Sequence, residues 1–158
     1  MAAAASGNPE FKRIDDFDAV KELALRAGLD VADKPVNDIV AAFGYFIDGR
    51  LMGAAALEFE DGNHFLEWVA VDGSVRLRGI GASLVAMIED EAMSRGMTEL
   101  WAKARIPNFY RRIGYRVLSK GERGPKTLDG CLGCSELNKT CHPAIIMKDL
   151  RPQRRIVS

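Results

Sequence analysis

Apolar positions in the first forty residues change from a strand-like run to a helical spacing. Residues 11–14 are predicted as a short strand, and Asp15 or Asp16 offers a side-chain oxygen that can cap the helix after it. Gly28 ends that helix, and a loop then leads to a brief helical turn predicted around residues 38–42. The helix has one apolar face, formed by Phe17, Val20, Leu23, Ala24 and Ala27.

The next part of the chain has the pattern of strands joined by tight turns. Two Asp-Gly pairs, Asp48-Gly49 and Asp61-Gly62, separate runs that are rich in apolar and aromatic residues. Asp-Gly between such runs is typical of a two-residue hairpin turn. We therefore expect three antiparallel strands, at about residues 43–47, 51–59 and 64–71.

Helical spacing returns in the second half, where an amphipathic helix ends at Gly96. Residues 98–104 form a predicted strand. Pro107 is suited to the first position of a short helix ending at Gly114, because its missing N–H and fixed φ cost nothing there. The long helix has an apolar face made of Ile80, Leu84, Val85, Ile88 and Ala92.

Two last strands, at residues 115–119 and 144–150, complete a pattern that predicts an α/β or α+β fold with a mixed sheet. A chain of 158 residues with 47% hydrophobic residues is expected to form one domain. The predicted units are a disordered tail (1–10), the domain (11–150) with an irregular cysteine-rich insertion (120–143), and a basic C-terminal tail (151–158).

Charge and hydropathy narrow the classes of partner. Lys plus Arg (22) balance Asp plus Glu (22), so no overall field draws the chain to nucleic acid or to an anionic membrane. No apolar run approaches the roughly 20 residues that span a bilayer, and the alanine-rich start lacks the parts of a secretory signal. We expect a cytoplasmic protein without membrane or nucleic-acid partners; a homodimer and a monomer are both left open.

A glycine-rich turn follows the third meander strand and runs into the long helix, over residues 72–82. Glycines at 79 and 81 let the backbone approach a ligand, and the N–H groups of a helix start attract anions. Arg76 and Arg78 add positive charge, so a diphosphate is the expected guest. A helix entry with solvated arginines is the alternative. The nucleotide P-loop and the three-glycine dinucleotide motif are not matched.

Three segments carry a resemblance to a known family. Arg76-x-x-Gly79-x-Gly81 resembles the Arg/Gln-x-x-Gly-x-Gly/Ala signature of the GNAT superfamily of N-acetyltransferases. Residues 67–71, Glu-Trp-Val-Ala-Val, are similar to the splayed strand that precedes this signature. Residues 108–115, Asn-Phe-Tyr-Arg-Arg-Ile-Gly-Tyr, are similar to the family's Phe-Tyr-x-x-x-Gly-Phe/Tyr element.

The resemblance implies a V-shaped, mostly antiparallel mixed sheet of about seven strands flanked by about four helices. It implies acetyl-CoA as cosubstrate, lodged where two strands diverge, with the pantetheine arm on the strand and the pyrophosphate on the glycine-rich turn. Asn108 could contact the cosubstrate or simply belong to the helix entry. The implied binding residues are Val69, Ala70, Val71, Arg76, Leu77, Arg78, Gly79, Ile80, Gly81, Ala82 and Asn108.

Two side chains are candidate catalysts. Glu67 resembles the family's general base, and burial beside Trp68 could raise its pKa; an exposed carboxylate in an ion pair is the alternative. Tyr110, four residues before Gly114, resembles the family's acid for the leaving thiolate; packing under the short helix is the alternative. The N–H of Val69 is the candidate donor to the developing oxyanion.

The cysteine segment departs from the family pattern. Cys131, Cys134, Cys141 and His142 are four candidate zinc ligands within twelve residues, which could form a structural site. Adjacent Cys141 and His142 cannot easily both ligate one ion. Free thiols or a redox pair therefore remain an equal alternative.

The predicted function is transfer of an acetyl group from acetyl-CoA to a primary amine, by direct attack in a ternary complex. A small molecule or an amino acid is favoured over a protein as acceptor, and the sequence does not identify it. The alternative is a non-catalytic acyl-CoA-binding or zinc-stapled interaction domain. A Cys-His hydrolase is less favoured, because no histidine is placed by sequence to activate a thiol.

Overall fold

Seven strands and three α-helices are present in the described residues of the computed structural model, which are 8–29, 35–75, 79–104, 106–119, 122, 124–125 and 144–151. A single 3₁₀ turn, Gly73–Val75, lies between the fourth strand and the second helix. The strands are β1 (Pro9–Arg13), β2 (Ile39–Ile47), β3 (Arg50–Glu60), β4 (Asn63–Val71), β5 (Glu99–Ala104), β6 (Arg116–Val117) and β7 (Ala144–Asp149). The helices are α1 (Phe17–Arg26), α2 (Ile80–Ser94) and α3 (Pro107–Arg112).

All seven strands form one mixed sheet in the order β1-β2-β3-β4-β5-β7-β6. β4 and β5 are parallel, and the other neighbouring strands are antiparallel. The chain reaches β5 from β4 through α2, as a parallel connection requires. The predicted mixed, mostly antiparallel sheet of about seven strands is confirmed; three α-helices and the 3₁₀ turn stand where about four helices were expected.

The sheet is covered on both faces, which gives the protein two apolar clusters. The cluster that contains α2 buries the predicted helical face, Ile80, Leu84, Val85, Ile88 and Ala92, against the sheet. The cluster that contains α1 buries Val20, Leu23 and Ala24 against alanines of β2, β3 and β4. The small side chains at these strand positions let α1 lie close to the sheet, so both helices fix the middle of the sheet from opposite sides.

The local signals that predicted helix and hairpin ends are confirmed. Asp16 caps α1, with its carboxylate accepting a hydrogen bond from the Ala19 N–H at 3.2 Å. Both Asp-Gly pairs have positive φ at both residues, which is the geometry of the tight hairpin turn. Pro107 is the first residue of α3. β1 begins at Pro9, two residues before the predicted start of the first strand.

The helical turn predicted around residues 38–42 is wrong. Four of these residues begin β2, where Ile39 pairs with Glu58 and Ala42 with Ala56 of β3. β-Branched Ile39 and its neighbour Val40 favour an extended backbone, and pairing with β3 satisfies main-chain groups that one isolated helical turn would leave open. Among the described residues, no helix is long and apolar enough to cross a membrane.

The packing of α2 predicts which of its residues stabilise the fold. Ile88 is 0% exposed and Met93 is 44% exposed on the same helix. Replacing Ile88 with Ala is expected to lower the free energy of unfolding by about 2–5 kcal/mol, through lost burial and a residual cavity. Met93→Ala, the matched control, is expected to change it by less than about 0.5 kcal/mol. Urea denaturation measures both, and equal effects would contradict this account of the core.

Candidate active site

A bulge interrupts β4 at Trp68 and Val69. The register with β3 runs Ala54 opposite Ala70 and Ala56 opposite Glu67, so two residues of β4 oppose one of β3. Trp68 has a φ of +53°, a conformation that bulky side chains rarely adopt. Its indole is buried in the α1-side cluster. The bulge therefore redirects main-chain groups of β4 at this point, and packing of the indole holds the strained backbone in place.

The pairing of β4 with β5 ends before this bulge. Within the described residues, the two strands pair at one position, Phe65 with Trp101. β5 continues to pair with β7 along its whole length, whereas β4 continues with β3 to Val71. Because β4 and β5 are parallel and pair near their amino-terminal ends, the unpaired parts of both strands lie at their carboxyl-terminal ends. The result is a gap in the middle of the sheet, with one edge of β4 facing it.

The amino-terminal end of α2 follows β4 at the same end of the gap. Gly79 is the N-cap residue, with a φ of +72° and no side-chain cap. The first hydrogen bond of the helix runs from the Ser83 N–H to the Gly79 carbonyl, at 3.1 Å. The N–H groups of Ile80, Gly81 and Ala82 therefore have no acceptor within the helix and can receive an anion.

α3 lies against this helix start. A Cβ built on Gly81 would lie 3.3 Å from Cζ of Phe109 and 3.7 Å from a methyl group of Val71. The glycine at position 81 thus allows β4, α2 and α3 to meet at one point. Asn108, on the exposed side of α3, accepts a hydrogen bond from Arg111 at 3.0 Å through its side-chain oxygen. Its amide group keeps two donors for a ligand.

Tyr110 is held on α3 by aromatic contacts with its neighbours. Its ring packs edge-on against Phe109, with centroids 4.9 Å apart, and against Tyr115, with centroids 5.7 Å apart. Burial raises the pKa of Tyr110 to about 12, with a further contribution from the negative charge of Glu67. The phenol therefore stays protonated at neutral pH and can donate a hydrogen bond.

The structure brings the two predicted catalytic side chains to the same region. Glu67 is half-buried in β4, directly before the bulge, and its charge acts on the Tyr110 hydroxyl. Val69 and Val71 pack partly against the α2-side cluster, whereas Ala70 is buried in the α1-side cluster. The side chains of Val69 and Val71 thus point to one face of the sheet and that of Ala70 to the other, and the backbone of these residues lies between the two packed faces.

A polar cluster below α3 was not found from the sequence. The Tyr115 hydroxyl donates a hydrogen bond to Glu89 of α2 at 2.8 Å, and Lys148 of β7 donates to both oxygens of the same carboxylate at 3.1 Å. Lys148 also donates to the carbonyl of Ile113 at 2.9 Å. No distinctive signal for it is present in the sequence, because Glu89 begins an acidic run with Asp90 and Glu91, and Lys148 is followed by Asp149.

Several predicted site residues lie outside the described residues. They are Arg76, Leu77 and Arg78 of the glycine-rich turn, and the candidate metal ligands Cys131, Cys134, Cys141 and His142. In the part of the chain that the structure describes, no group of three or more His, Cys, Asp or Glu side chains could hold a metal ion. His64, which was not assigned to the site, is buried at the opposite end of β4.

A match to a family model of sequences assigns the chain to a family. Residues 12–115 match the model of the Acetyltransferase (GNAT) family, which is more than half of the chain. The chain belongs to this family. The matched region contains the β4 bulge, the start of α2 and the whole of α3, so the gap and both motifs lie within it. No curated protein matches the chain.

Solved structures of GNAT proteins have the same fold at low sequence identity. N-acetylglutamate synthase from Neisseria gonorrhoeae, complexed with coenzyme A and N-acetyl-glutamate, superposes with a TM-score of 0.68 at 16% identity; the match covers 93% of this chain and 36% of the synthase. This chain therefore spans about a third of that enzyme. The ribosomal-protein-S18-alanine N-acetyltransferase from Escherichia coli gives 0.65 at 16% identity, covering 96% of this chain and 99% of its own.

A third structure was also solved with coenzyme A. The PaiA N-acetyltransferase from Thermoplasma acidophilum superposes with a TM-score of 0.61 at 15% identity, with 90% of this chain and 99% of that chain covered. The TM-scores of these three structures establish a shared fold.

The left-handed backbone at Gly79 yields a test of the helix start. A Cβ at either Gly79 or Gly73 would meet nothing within 4 Å, and of the two Gly79 alone has a positive φ. Gly79→Ala is expected to lower the free energy of unfolding by about 1–2 kcal/mol through backbone strain. Gly73→Ala is the matched control and is expected to be neutral or slightly stabilising. Chemical denaturation measures both; a neutral Gly79→Ala would mean that the cap does not need the left-handed conformation.

Proposed function

We propose that the protein transfers the acetyl group of acetyl-CoA to a primary amine, by direct attack of the amine in a ternary complex. The observation that carries this proposal is the gap between β4 and β5, which opens at the same end of the sheet as the uncapped start of α2. A thioester entering the gap would have its diphosphate at that helix and its acyl end beside Glu67 and Tyr110.

The described residues fit such a cosubstrate. The edge of β4 over Val69, Ala70 and Val71 can pair with amide groups of the pantetheine arm, much as an added strand would. N–H groups of residues 79–82 can bind the pyrophosphate, where the helix dipole favours negative charge. Arg76, Leu77, Arg78 and Asn108 complete the proposed binding set. The coenzyme A complexes of structural neighbours support this assignment.

The reaction needs three functions from the protein: a base for the amine, a hydrogen-bond donor to the carbonyl oxygen, and a donor to the leaving sulfur. Acetyl-CoA supplies a thioester whose carbonyl carbon is attacked and whose sulfur leaves. Glu67 is the proposed base that takes a proton from the amine, directly or through water. The N–H of Val69, a residue of the bulge, is the proposed donor to the carbonyl oxygen as negative charge develops on it.

Tyr110 is the proposed donor to the leaving sulfur. Its phenol is protonated at neutral pH, because burial and Glu67 hold its pKa at about 12. A hydrogen bond from this hydroxyl would stabilise charge on sulfur as the thioester bond breaks. Tyr110 packs against Phe109, and Phe109 lies close to Gly81 at the start of α2. The proposed acid is therefore joined by packing to the proposed diphosphate site.

The acceptor is proposed to be a small molecule or an amino acid. One structural neighbour was solved with N-acetyl-glutamate, and another takes its name from alanine of a ribosomal protein. Both names point to amines of amino acids, free in one case and in a protein in the other. The regions that we expect to line the acceptor site, residues 29–38 and the cysteine segment, lie largely outside the described residues.

The cysteine segment is also proposed to hold a structural zinc, with Cys131, Cys134 and Cys141 as ligands and His142 or another residue as the fourth. Spacing in the sequence is its support, and free thiols or a redox pair are the alternative. Metal analysis of the purified chain decides between them.

The function as a whole is tested by binding and turnover on one sample. We expect calorimetry to detect binding of coenzyme A and of acetyl-CoA to the protein. We expect a thiol-release assay with a panel of amines and amino acids to detect turnover. No binding of either ligand at millimolar concentration would reject the proposal. Binding without turnover for any amine would favour a non-catalytic acyl-CoA-binding domain.

Tyr110→Phe tests the proposed acid. The variant is expected to lower kcat at least about a hundredfold with little change in KM for acetyl-CoA, because it removes a donor used as the sulfur leaves. Tyr45→Phe, at a buried tyrosine of β2, is the control and should leave kcat unchanged. Since the pKa of Tyr110 is about 12, ionisation of this phenol should cause no fall in kcat up to about pH 10. A fall that disappears in Tyr110→Phe would contradict the assignment.

A further inference from the structure

α3 is short and only partly anchored by apolar packing. It has six residues, none of them fully buried, and Phe109 and Tyr110 pack partly against the cluster that contains α2. A helix of this length is not stable in isolation, since most helical stability in proteins comes from packing of an apolar face. The position of Tyr110 must therefore depend also on contacts made by the residues that flank α3.

Those contacts come from a charged pair that joins α2 to β7. Lys148 donates to both oxygens of Glu89 at 3.1 Å and to the carbonyl of Ile113, the C-cap residue of α3, at 2.9 Å. The Glu89 side chain is 12% exposed and the Lys148 side chain 27%, so the pair is only partly screened by water. The lysine thus fixes the carboxyl-terminal end of α3 to two elements of the core.

Gly114 makes this arrangement possible. It has a φ of +99°, and a Cβ at this position would lie 3.1 Å from Cε and 3.3 Å from Nζ of Lys148. A side chain at position 114 would therefore be strained and would displace the lysine. The glycine of the second motif thus has a second role, which is to leave room for Lys148 beside the backbone.

Tyr115 connects the pair to Tyr110. Its hydroxyl donates to Glu89 at 2.8 Å, its N–H donates to the Tyr110 carbonyl at 2.9 Å, and its ring packs edge-on against the Tyr110 ring. Burial, together with the nearby Glu89 carboxylate, raises the pKa of Tyr115, so the hydroxyl remains a donor at neutral pH. A change at Glu89 can therefore reach Tyr110 through Tyr115, and also through Lys148 at the end of α3.

We infer that Glu89, Tyr115 and Lys148 are positioning residues that hold the Tyr110 hydroxyl where it can donate a hydrogen bond to the leaving sulfur. This inference rests on the proposed function, because it concerns the same reaction. It assigns the cluster a role in kcat beyond its contribution to stability.

Glu91 provides a matched control for a purely structural role. It lies two residues further along α2, its side chain is 14% exposed, and it forms ion pairs with Arg13 at 2.7 Å and with Arg95 at 2.8 Å. Its partners belong to β1 and to the end of α2 itself, so none of them is part of α3. Glu91→Gln therefore removes a comparable charge from the same helix without touching the support of Tyr110.

The experiment measures kcat, KM and unfolding for Glu89→Gln, Tyr115→Phe and Glu91→Gln, each with Tyr110 present and in the Tyr110→Phe background. With Tyr110 present, Glu89→Gln and Tyr115→Phe are expected to lower kcat about tenfold to a hundredfold, since a small misplacement of a reacting group has effects of this size. KM for acetyl-CoA should change little, and Glu91→Gln should leave kcat unchanged. In the Tyr110→Phe background, Glu89→Gln should have almost no further effect, because coupled residues are not additive.

The outcomes separate this inference from the proposed function. An equal loss from Glu89→Gln in both backgrounds, or an equal loss from Glu91→Gln, would overturn the positioning role while leaving acetyl transfer intact. Absence of turnover would instead overturn the proposed function, whereas a Tyr110→Phe variant with full kcat would overturn the role of Tyr110 and, with it, this inference. Ring NMR signals of Tyr110, assigned by their loss in Tyr110→Phe, give a readout without substrate: they should shift in Glu89→Gln and not in Glu91→Gln, and unchanged signals would also overturn the inference.

Discussion

The separation of β4 from β5 is the constraint on which the rest of the structure depends. Two parallel strands in the middle of a sheet normally satisfy each other's backbone groups along their length. Here the ladder between them contains the pair Phe65 and Trp101, after which the strands diverge. Beyond this pair the ladder of β4 with β5 does not continue within the described residues, which leaves an edge of β4 at the gap. A fold that leaves such an edge at its centre is suited to binding an extended molecule with amide groups.

The two apolar clusters explain how the sheet tolerates this opening. α2 packs on one face and α1 on the other, so β3 and β4 are held from both sides up to the bulge. Trp68 accepts a backbone conformation that costs about 1–3 kcal/mol at a non-glycine residue. Its buried indole offsets this cost, because an aromatic side chain removes a large apolar area from water. The strain is thus located where the core is best able to hold it.

The sequence was sufficient for the elements with strong local signals. Helical spacing identified the buried faces of α1 and α2, and the Asp-Gly pairs identified both hairpins. The start of β2 was missed because its extended form depends on pairing with β3, which is distant in sequence and adds to the local preference of Ile39 and Val40 for a strand. The second motif placed Tyr110 on α3, and the first placed Gly79 at the helix start.

What sequence reasoning missed in the site is its long-range polar support. Glu89 and Lys148 are far apart in the chain, and each stands next to other charged residues, so that only the fold shows which charges pair. The register of the sheet determines this pairing of charges, since it places Lys148 opposite Leu100 in β5. β5 is the strand that leads into α3.

The two carboxylates near the tyrosines act in the same direction. Glu67 contributes to the raised pKa of Tyr110, and Glu89 contributes to that of Tyr115, in both cases after burial. Negative charge beside a phenol disfavours its ionised form, so both rings keep their protons and act as hydrogen-bond donors. Lys148 offsets the charge of Glu89, whose negative charge would otherwise be costly at a partly buried site. The short helix α3 therefore combines a protonated donor on its own turn with an ionic support beneath it, and this support adds to the partial packing of Phe109 and Tyr110 against the core.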